Sequence, residues 1–412
     1  MNYEESLEYI HGRNKFGIKL GLDATNTLLE KIGNPHHKLK FVHIAGTNGK
    51  GSTTSYIHDI LMSDGYKVGK FISPFVHSFT ERIQINNCEI SEKSLAECTT
   101  IVKEAIEKYN LTPTEFEVVT AIGLYYFERE HCDYVTLEVG MGGRFDATNV
   151  IPAPLVSVIT SISIDHTEYL GNTISDIAFE KCGILKTGSK TVAYADNPDE
   201  ANKVIKETAF EKNIPLIIPD KKDIKILNQN IEGTFFEYKG EKYHINMLGK
   251  HQVYNAVNAI EATKLLSIKY NSIKKGLDTT KFRGRLEIVS KNPVIIEDGA
   301  HNYSGVSVLC DALKTYFSNK KIIIVMAMLK DKEYIKCIET LAPIVDTFIA
   351  TEANNPRKAT SDEIAKVASK HINNVHSEPD VNKALVFAKS ISDKDSIICV
   401  CGSLYLLGDV NI

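Results

Sequence analysis

Short, almost uninterrupted apolar runs that halt at glycine or polar residues recur along this chain, and they constrain its fold more than any other feature. KLKFVHIAG, YKVGKFISP, DYVTLEVGMGG and PLVSVITSIS all have this form. A strand with one solvated face alternates apolar and polar residues. A near-continuous run needs cover on both faces, as in a parallel sheet lined by helices. TTSYIHDILMSDG, between the first two runs, has helical composition and closes at Gly65. Residues 38 to about 265 therefore read mainly as an open α/β sheet, which binds ligands in the loops at the carboxyl ends of its strands. Within that span, IKILNQNIEGTFFEYKGEKYHINML alternates around EG and KGEK and predicts hairpins, followed by a helix in NMLGKHQVYNAVNAIEATKLL. KFRGRLEIVS, residues 281–290, reads as a junction. Beyond it the α/β alternation restarts in NPVIIEDGAHN, KKIIIVMAMLKDKEY, VDTFIATEANNPR and DSIICVCGSLYLLG. This predicts a second, smaller α/β domain of about 125 residues, with Asp298, Lys330, Arg357 and Ser403 along one rim.

At 412 residues, the chain is long enough for about two or three domains. Its 43% hydrophobic and 24% charged content is that of a folded globular protein. A net charge of -4 supplies no basic field for nucleic acid or an anionic membrane. There is no apolar run of about 18 residues to span a bilayer. The start, MNYEESLEYIHGRNKF, carries acids and no apolar segment, so no secretory signal is expected. The eight cysteines are scattered, and the one close pair, Cys399-Val400-Cys401, lies in an apolar run that reads as a buried strand rather than a metal site. A reducing cytoplasm is the expected compartment.

The loop after KFVHIA is Gly46-Thr47-Asn48-Gly49-Lys50-Gly51-Ser52-Thr53. It differs from the common phosphate-loop pattern G-x-x-x-x-G-K-[ST]. Aligned on Gly49-Lys50, it has Ile44 in place of the first glycine and Gly51 in place of the hydroxyl residue. The physical requirements are nevertheless met. Three glycines let several N–H groups converge on an anion, and the following helix adds its positive end. Lys50 supplies a mobile cation, and Ser52 or Thr53 a hydroxyl for Mg²⁺ or phosphate. The loop by itself says phosphate, without saying what the phosphate is for.

Read in order, the segments FGIKLGLD, HIAGTNGKGSTT, ISPFVHSFTERIQI, LEVGMGGRFDATNV, SISIDHTEYLG, IAFEKCGILK, LGKHQVYNAVNAIEA, FRGRLE, EDGAHN and CGSLYLLGDV resemble the folylpolyglutamate synthase and dihydrofolate synthase family. That family belongs to the Mur-ligase superfamily of ATP-dependent amide-forming ligases, and its phosphate loop is itself spelled GTNGKGS. The resemblance implies an α/β fold with a larger N-terminal P-loop ATPase-type domain, its sheet mostly parallel, and a smaller C-terminal Rossmann-like domain. Residues 1–285 would bind ATP and the folate acid, and 286–412 would contribute to glutamate and ATP binding. It further implies Ser73, Glu138 and His166 as Mg²⁺ ligands, with Ser52 nearby. Glu138 and His166 both follow apolar runs, so their side chains are placed at strand ends. Asn255, Arg285 and Asp298 match nucleotide-contacting positions, and His301 is expected at the γ-phosphate or acyl phosphate. Lys181 matches a lysine that is often carbamylated in the superfamily. Thr114, Glu115, Phe116 and Glu117, with Arg144, Phe145, Asp146 and Ala147, match segments that contact dihydropteroate in bifunctional members. Arg144 is either a carboxylate clamp or a loop surface charge. Phe75 stands where many relatives have histidine, and Phe282-Arg283 where a Trp-Pro-like pair is common.

The implied chemistry is carboxylate activation. The γ-phosphoryl of ATP passes to a folate-type acid, and the amine of L-glutamate displaces phosphate from the acyl phosphate. Glutamate is expected over the second domain near His301, Lys330, Arg357 and Ser403. The expected setting is folate biosynthesis and one-carbon metabolism, in a monomer that takes small-molecule substrates and no nucleic acid or membrane. The alternatives are a Mur-type ligase for another acid, a P-loop ATPase without ligase activity, and a nicotinamide oxidoreductase built on Val139-Gly140-Met141-Gly142-Gly143. FGIKLGLD and ERIQI favour folate over another acid, and RFDATN is a poor helix start for a dinucleotide fold.

Overall fold

The computed structural model describes residues 1–17 and 21–411. Ile18, Lys19 and Leu20 of the FGIKLGLD segment lie outside the described residues. The near-continuous apolar runs do become the inner strands of sheets covered on both faces. Among the described residues the first sheet comprises β1 (Phe41–Ala45), β2 (Val68–Phe71), β3 (Ile83–Ile85), β4 (Cys88–Glu89), β5 (Tyr134–Glu138), β6 (Val156–Ile159), β7 (Lys190–Ala193) and β8 (Leu216–Ile217). In space they run β4–β3–β2–β5–β1–β6–β7–β8. Every pairing from β2 to β8 is parallel, while β3 and β4 form an antiparallel edge. β1, at the centre, is buried at every residue.

The alternating segment forms a separate antiparallel sheet of β9 (Ile224–Asn230), β10 (Gly233–Tyr238) and β11 (Glu241–Ile245). The last sheet contains β12 (Glu287–Lys291), β13 (Val294–Asp298), β14 (Lys321–Met326), β15 (Thr347–Ala350), β16 (Val375–Ser377) and β17 (Ser396–Cys401). Its order is β12–β13–β17–β14–β15–β16, parallel except for β12. Cys399 and Cys401 lie buried in β17, and all eight cysteines are free. No described helix is long and apolar enough to cross a membrane.

Two helices that carry site residues are enclosed rather than amphipathic. The Lys50–Ser63 helix buries every residue from Gly51 to Leu61, and the Lys250–Leu265 helix buries every residue from Gln252 to Thr263. Ile57, Ile60 and Leu61 are fully buried with Val253, Ala256 and Val257 in one core, each Val, Leu or Ile side chain contributing roughly 1.5–3 kcal/mol. This places the phosphate loop on a helix that cannot tilt without disturbing the core. The Tyr270–Thr279 helix approaches it so closely that a Cβ at Gly276 would fall 2.4 Å from the Ile60 Cα. Gly276→Ala must push two backbones apart, and the expected loss is about 1–3 kcal/mol. Chemical denaturation of the two proteins side by side measures it.

Candidate active site

β1 ends at Ala45, and the chain turns through Gly46–Gly49 into the Lys50–Ser63 helix. Gly49 is left-handed, φ 82°, and a Cβ there would stand 2.5 Å from the Asn255 Oδ1. Gly51 has ordinary helical geometry but no room. Its Cβ would fall 2.6 Å from the Phe282 ring and 3.4 Å from the Glu138 Oε2. The loop is pinned to the segment after β6: Thr47 N donates to Ser161 O (2.7 Å), Thr47 Oγ1 to Ser163 O (3.0 Å), and Thr160 Oγ1 to Asn48 O (2.8 Å). Ser52 is buried and its hydroxyl accepts from Gln252 Nε2 at 3.2 Å, while Asn255 Nδ2 donates to Gln252 Oε1 at 3.1 Å. Thr53 is fully buried, and its hydroxyl has no partner among the described residues.

Two ammonium groups converge on one carbonyl. Lys50 Nζ donates to Gly46 O and Thr47 O, each at 3.2 Å, and Lys181 Nζ donates to the same Gly46 O at 2.9 Å. Burial, reinforced by repulsion from Lys50, pushes the Lys181 pKa down to about 7. Glu138, at the carboxyl end of β5, is the opposite case. Burial pushes its carboxyl up to about 7, against the opposing pull of Lys50 and of the Ser73 N–H, which donates to its Oε2 at 3.1 Å. His166 is left-handed, φ 50°, with its N–H on Asp165 Oδ1 at 2.9 Å. The Glu138 carboxylate, desolvated and in no ion pair among the described residues, is with the His166 imidazole and the Ser52 and Ser73 hydroxyls the kind of hard donor that Mg²⁺ takes. Among the described residues no three His, Cys, Asp or Glu side chains converge, so such a cation would complete its shell with water and phosphate oxygens, as Mg²⁺ commonly does.

Residues that follow β13 of the second sheet reach this site. The carboxylate of Asp298, at the end of β13, accepts the N–H groups of Leu286 and Ala300, both at 2.8 Å. Burial raises its pKa, and Arg285 opposes the rise. His301 donates Nδ1–H to Gly299 O at 2.9 Å, and burial pushes its pKa down to about 4, so the ring is neutral with Nε2 left as an acceptor. Asn302 Nδ2 reaches Asp165 Oδ2 (2.9 Å) and Asn48 Oδ1 (3.4 Å) across the seam. Lys332 Nζ lies 2.9 Å from Asp165 Oδ1. Although burial pushes the Asp165 carboxyl up, Lys332, His166 and Asn302 hold it well below the usual carboxylate range.

Between the sheets lies a cavity of about 610 Å³. It brings together Thr114, Glu115, Phe116, Glu117, Phe145, Asp146 and Ala147 with Ser73, His166, His301, Arg357 and Ser403. Some of these side chains are already engaged. Glu117 caps its helix through the Thr114 N–H (2.7 Å) and accepts from Thr25 Oγ1 (3.0 Å), and Glu115 stands 3.4 Å from His11. Arg144 stays outside the cavity lining, stacked over Phe145 and Phe179 and 3.7 Å from Glu180. Lys330 is also outside, 3.3 Å from Glu363 on an exposed face. The cavity's lysine is Lys332, and its further charged lining includes Arg82 and Asp331. Arg82 lies against the rings of Phe75 and Phe79, its Nε buried without a partner among the described residues. The sequence signal for Arg82 was the ERIQI segment; for Lys332, nothing separates it from Lys330 in KDKEY.

Residues 44–263 match the Mur ligase middle domain, and residues 284–404 the Mur ligase glutamate ligase domain. A Bacillus subtilis dihydrofolate synthase/folylpolyglutamate synthase is 36% identical over 99% of this chain and 98% of its own. The chain belongs to this family of Mur-type ligases. An Escherichia coli FolC structure in complex with DHPP and ADP superposes with a TM-score of 0.88 at 27% identity, covering 99% of this chain and 96% of that one. A Yersinia pestis bifunctional folylpolyglutamate synthase/dihydrofolate synthase, complexed with AMPPNP and a Mn ion, gives 0.86 at 28% identity, covering 99% and 97%. In this ligase the crowded lysines have a measurable signature. The folded state disfavours charged Lys181, a cost fully present below about pH 7 that disappears as pH rises toward the ordinary lysine value of 10.5. Lys181→Met is therefore expected to raise the thermal midpoint of the nucleotide-free protein at pH 6. The gain should shrink steadily above pH 7 in a scanning-fluorimetry series.

Proposed function

We propose that this chain uses ATP and L-glutamate to amidate a pteroate- or folate-type carboxylate, acting both as dihydrofolate synthase and as folylpolyglutamate synthase. The observation that carries this reading is the shared cavity. Its lining combines Thr114–Glu117 and Phe145–Ala147 from the first part of the chain with His301, Arg357 and Ser403 from the second, and it includes Ser73 and His166. The ligands bound by the E. coli and Y. pestis relatives support it. Residues 1–285 would hold ATP and the acid, and 286–412 would bring glutamate and the second half of the nucleotide site. One chain supplies both sets, so a monomer carries a complete site.

The first step joins a carboxylate oxygen to the γ-phosphorus and releases ADP, so two anions must meet. Lys50, the N–H groups of Gly46–Ser52, Asn255 and Arg285 would hold the nucleotide and offset that repulsion. Ser52, Ser73, Glu138 and His166 would hold Mg²⁺, which when bound supplies positive charge against the phosphates. In the second step the glutamate nitrogen bonds to the acyl carbon, phosphate leaves, and the ammonium protons are shed. His301 Nε2 is an acceptor that can orient the incoming amine, with Lys332, Arg357 and Ser403 near the glutamate carboxylates. Lys181 is proposed to be carbamylated. Its depressed pKa leaves much of it as the neutral amine that adds CO₂, and the product exchanges a cation repelled by Lys50 for an anion attracted to it.

One assay tests the reading: ATP, Mg²⁺ and glutamate with dihydropteroate or reduced folate supplied separately, and products identified by mass. Glutamyl addition to both acids is expected. Addition to reduced folate alone removes the first activity, and ADP release independent of any acid makes the chain an ATPase instead. Lys50→Ala is expected to lower kcat by about 10²–10³-fold, measured in the same assay.

A further inference from the structure

One corner of the cavity is fixed by a hydrogen-bond chain that the steps above do not use. Asp146 is 7% exposed, and its Oδ1 accepts both the N–H (3.0 Å) and the hydroxyl (2.5 Å) of Thr148. Its Oδ2 accepts the Met141 N–H at 2.8 Å. The Thr148 hydroxyl has one proton, and a carboxylate already receiving backbone N–H groups takes it. The contact of 2.9 Å between Thr148 Oγ1 and His43 Nε2 must then be donated by the histidine. That assignment leaves His43 Nδ1 as a bare acceptor, and it is indeed buried without a partner among the described residues. His43 is fully buried in the middle of β1, and burial pushes its pKa down to about 3, so one neutral tautomer serves.

The chain thus runs from the central strand to the cavity wall: His43 Nε2–H to Thr148 O–H to Asp146. With Oδ1 saturated, Oδ2 is the oxygen with acceptor capacity left for a ligand. Asp146 shares the cavity lining with Phe116 and Phe145, and a carboxylate beside aromatic rings suits a flat heterocycle with an N–H edge. We propose that Thr148 and His43 are positioning residues that hold Asp146 as the acceptor for the ring N–H groups of the acid substrate, and so set the enzyme's preference for acids that carry that ring. This rests on the pteroate/folate reading above.

The test compares kcat/KM for dihydropteroate with that for a truncated p-aminobenzoyl acid lacking the heterocycle, with KM for ATP as a control. Thr148→Val is expected to lower the preference for the full acid about tenfold, leaving the truncated acid and the ATP KM unchanged. Thr148→Ser, which keeps the hydroxyl, should restore it. His43→Leu removes the donor to Thr148 at a distance from the cavity and should shift the preference the same way, whereas His43→Gln keeps an N–H at that position and should restore it. Equal losses for both acids, or a preference that Thr148→Val and His43→Leu leave unchanged, overturn the proposal in favour of a structural role. A wild-type enzyme that turns over neither dihydropteroate nor reduced folate overturns the functional reading itself, and this inference with it.

Discussion

The carbonyl oxygen of Gly46 accepts hydrogen bonds from two lysines, Lys50 and Lys181, and much of the site follows from that crowding. One peptide dipole cannot neutralise two cations, of which Lys181 is buried and Lys50 part-buried. The strain appears in Lys181, whose proton is held weakly, and in mirror image in Glu138, whose carboxyl is held at about 7 by burial. Charges that a fold leaves locally unbalanced lower its stability, and they are commonest where a ligand is meant to complete the balance. Phosphate oxygens would relieve the lysines and a cation would relieve Glu138. The same pair of deficits would suit the proposed metal–nucleotide complex better than either deficit alone.

Such a site requires both sheets. Lys50 and Glu138 come from the first, Asp298, His301 and Lys332 from the second, and Arg285 from the junction between them. The seam is closed by Lys332 with Asp165, whose side chains are only 12% and 10% exposed, and by Asn302, which touches both Asp165 and the phosphate loop. An ion pair so shielded is screened less by salt than a surface pair, and breaking it leaves two poorly solvated charges. Val76, three residues after Ser73, packs with Leu404 and Leu407 in a core of the second sheet. The Ser73 segment is thus attached to both bodies at the place where the chemistry is proposed.

The sheets were legible in the sequence because a buried parallel strand has an unusual composition, and every long apolar run became one. Strands without that signature were not: β4, β8 and β16 are two or three residues long, with no fully buried residue. The phosphate loop was legible from its glycines, and Glu138 from its position at a strand end. Lys332 was not, because KDKEY offers two lysines two residues apart, and only the sheet geometry decides that Lys330 faces Glu363 and Lys332 faces Asp165. His43 could not be found either. Inside FVHIA it reads as one polar interruption of a core strand, and its partner Thr148 is 105 residues away.

The departure of GTNGKGS from the commoner phosphate-loop spelling can be explained on the same grounds. Successive residues on a helix point about 100° apart, so the side chains at 51 and 52 address different neighbours. Position 51 faces Phe282 and Glu138, and even a Cβ there would meet the Phe282 ring at 2.6 Å. A serine at 51 would have to displace the junction that joins the two sheets. At 52 the hydroxyl instead turns to Gln252 on the Lys250–Leu265 helix. The glycine between lysine and serine is therefore set less by the phosphates, which any glycine-rich turn could cradle, than by the ring of Phe282 reaching the loop from the linker.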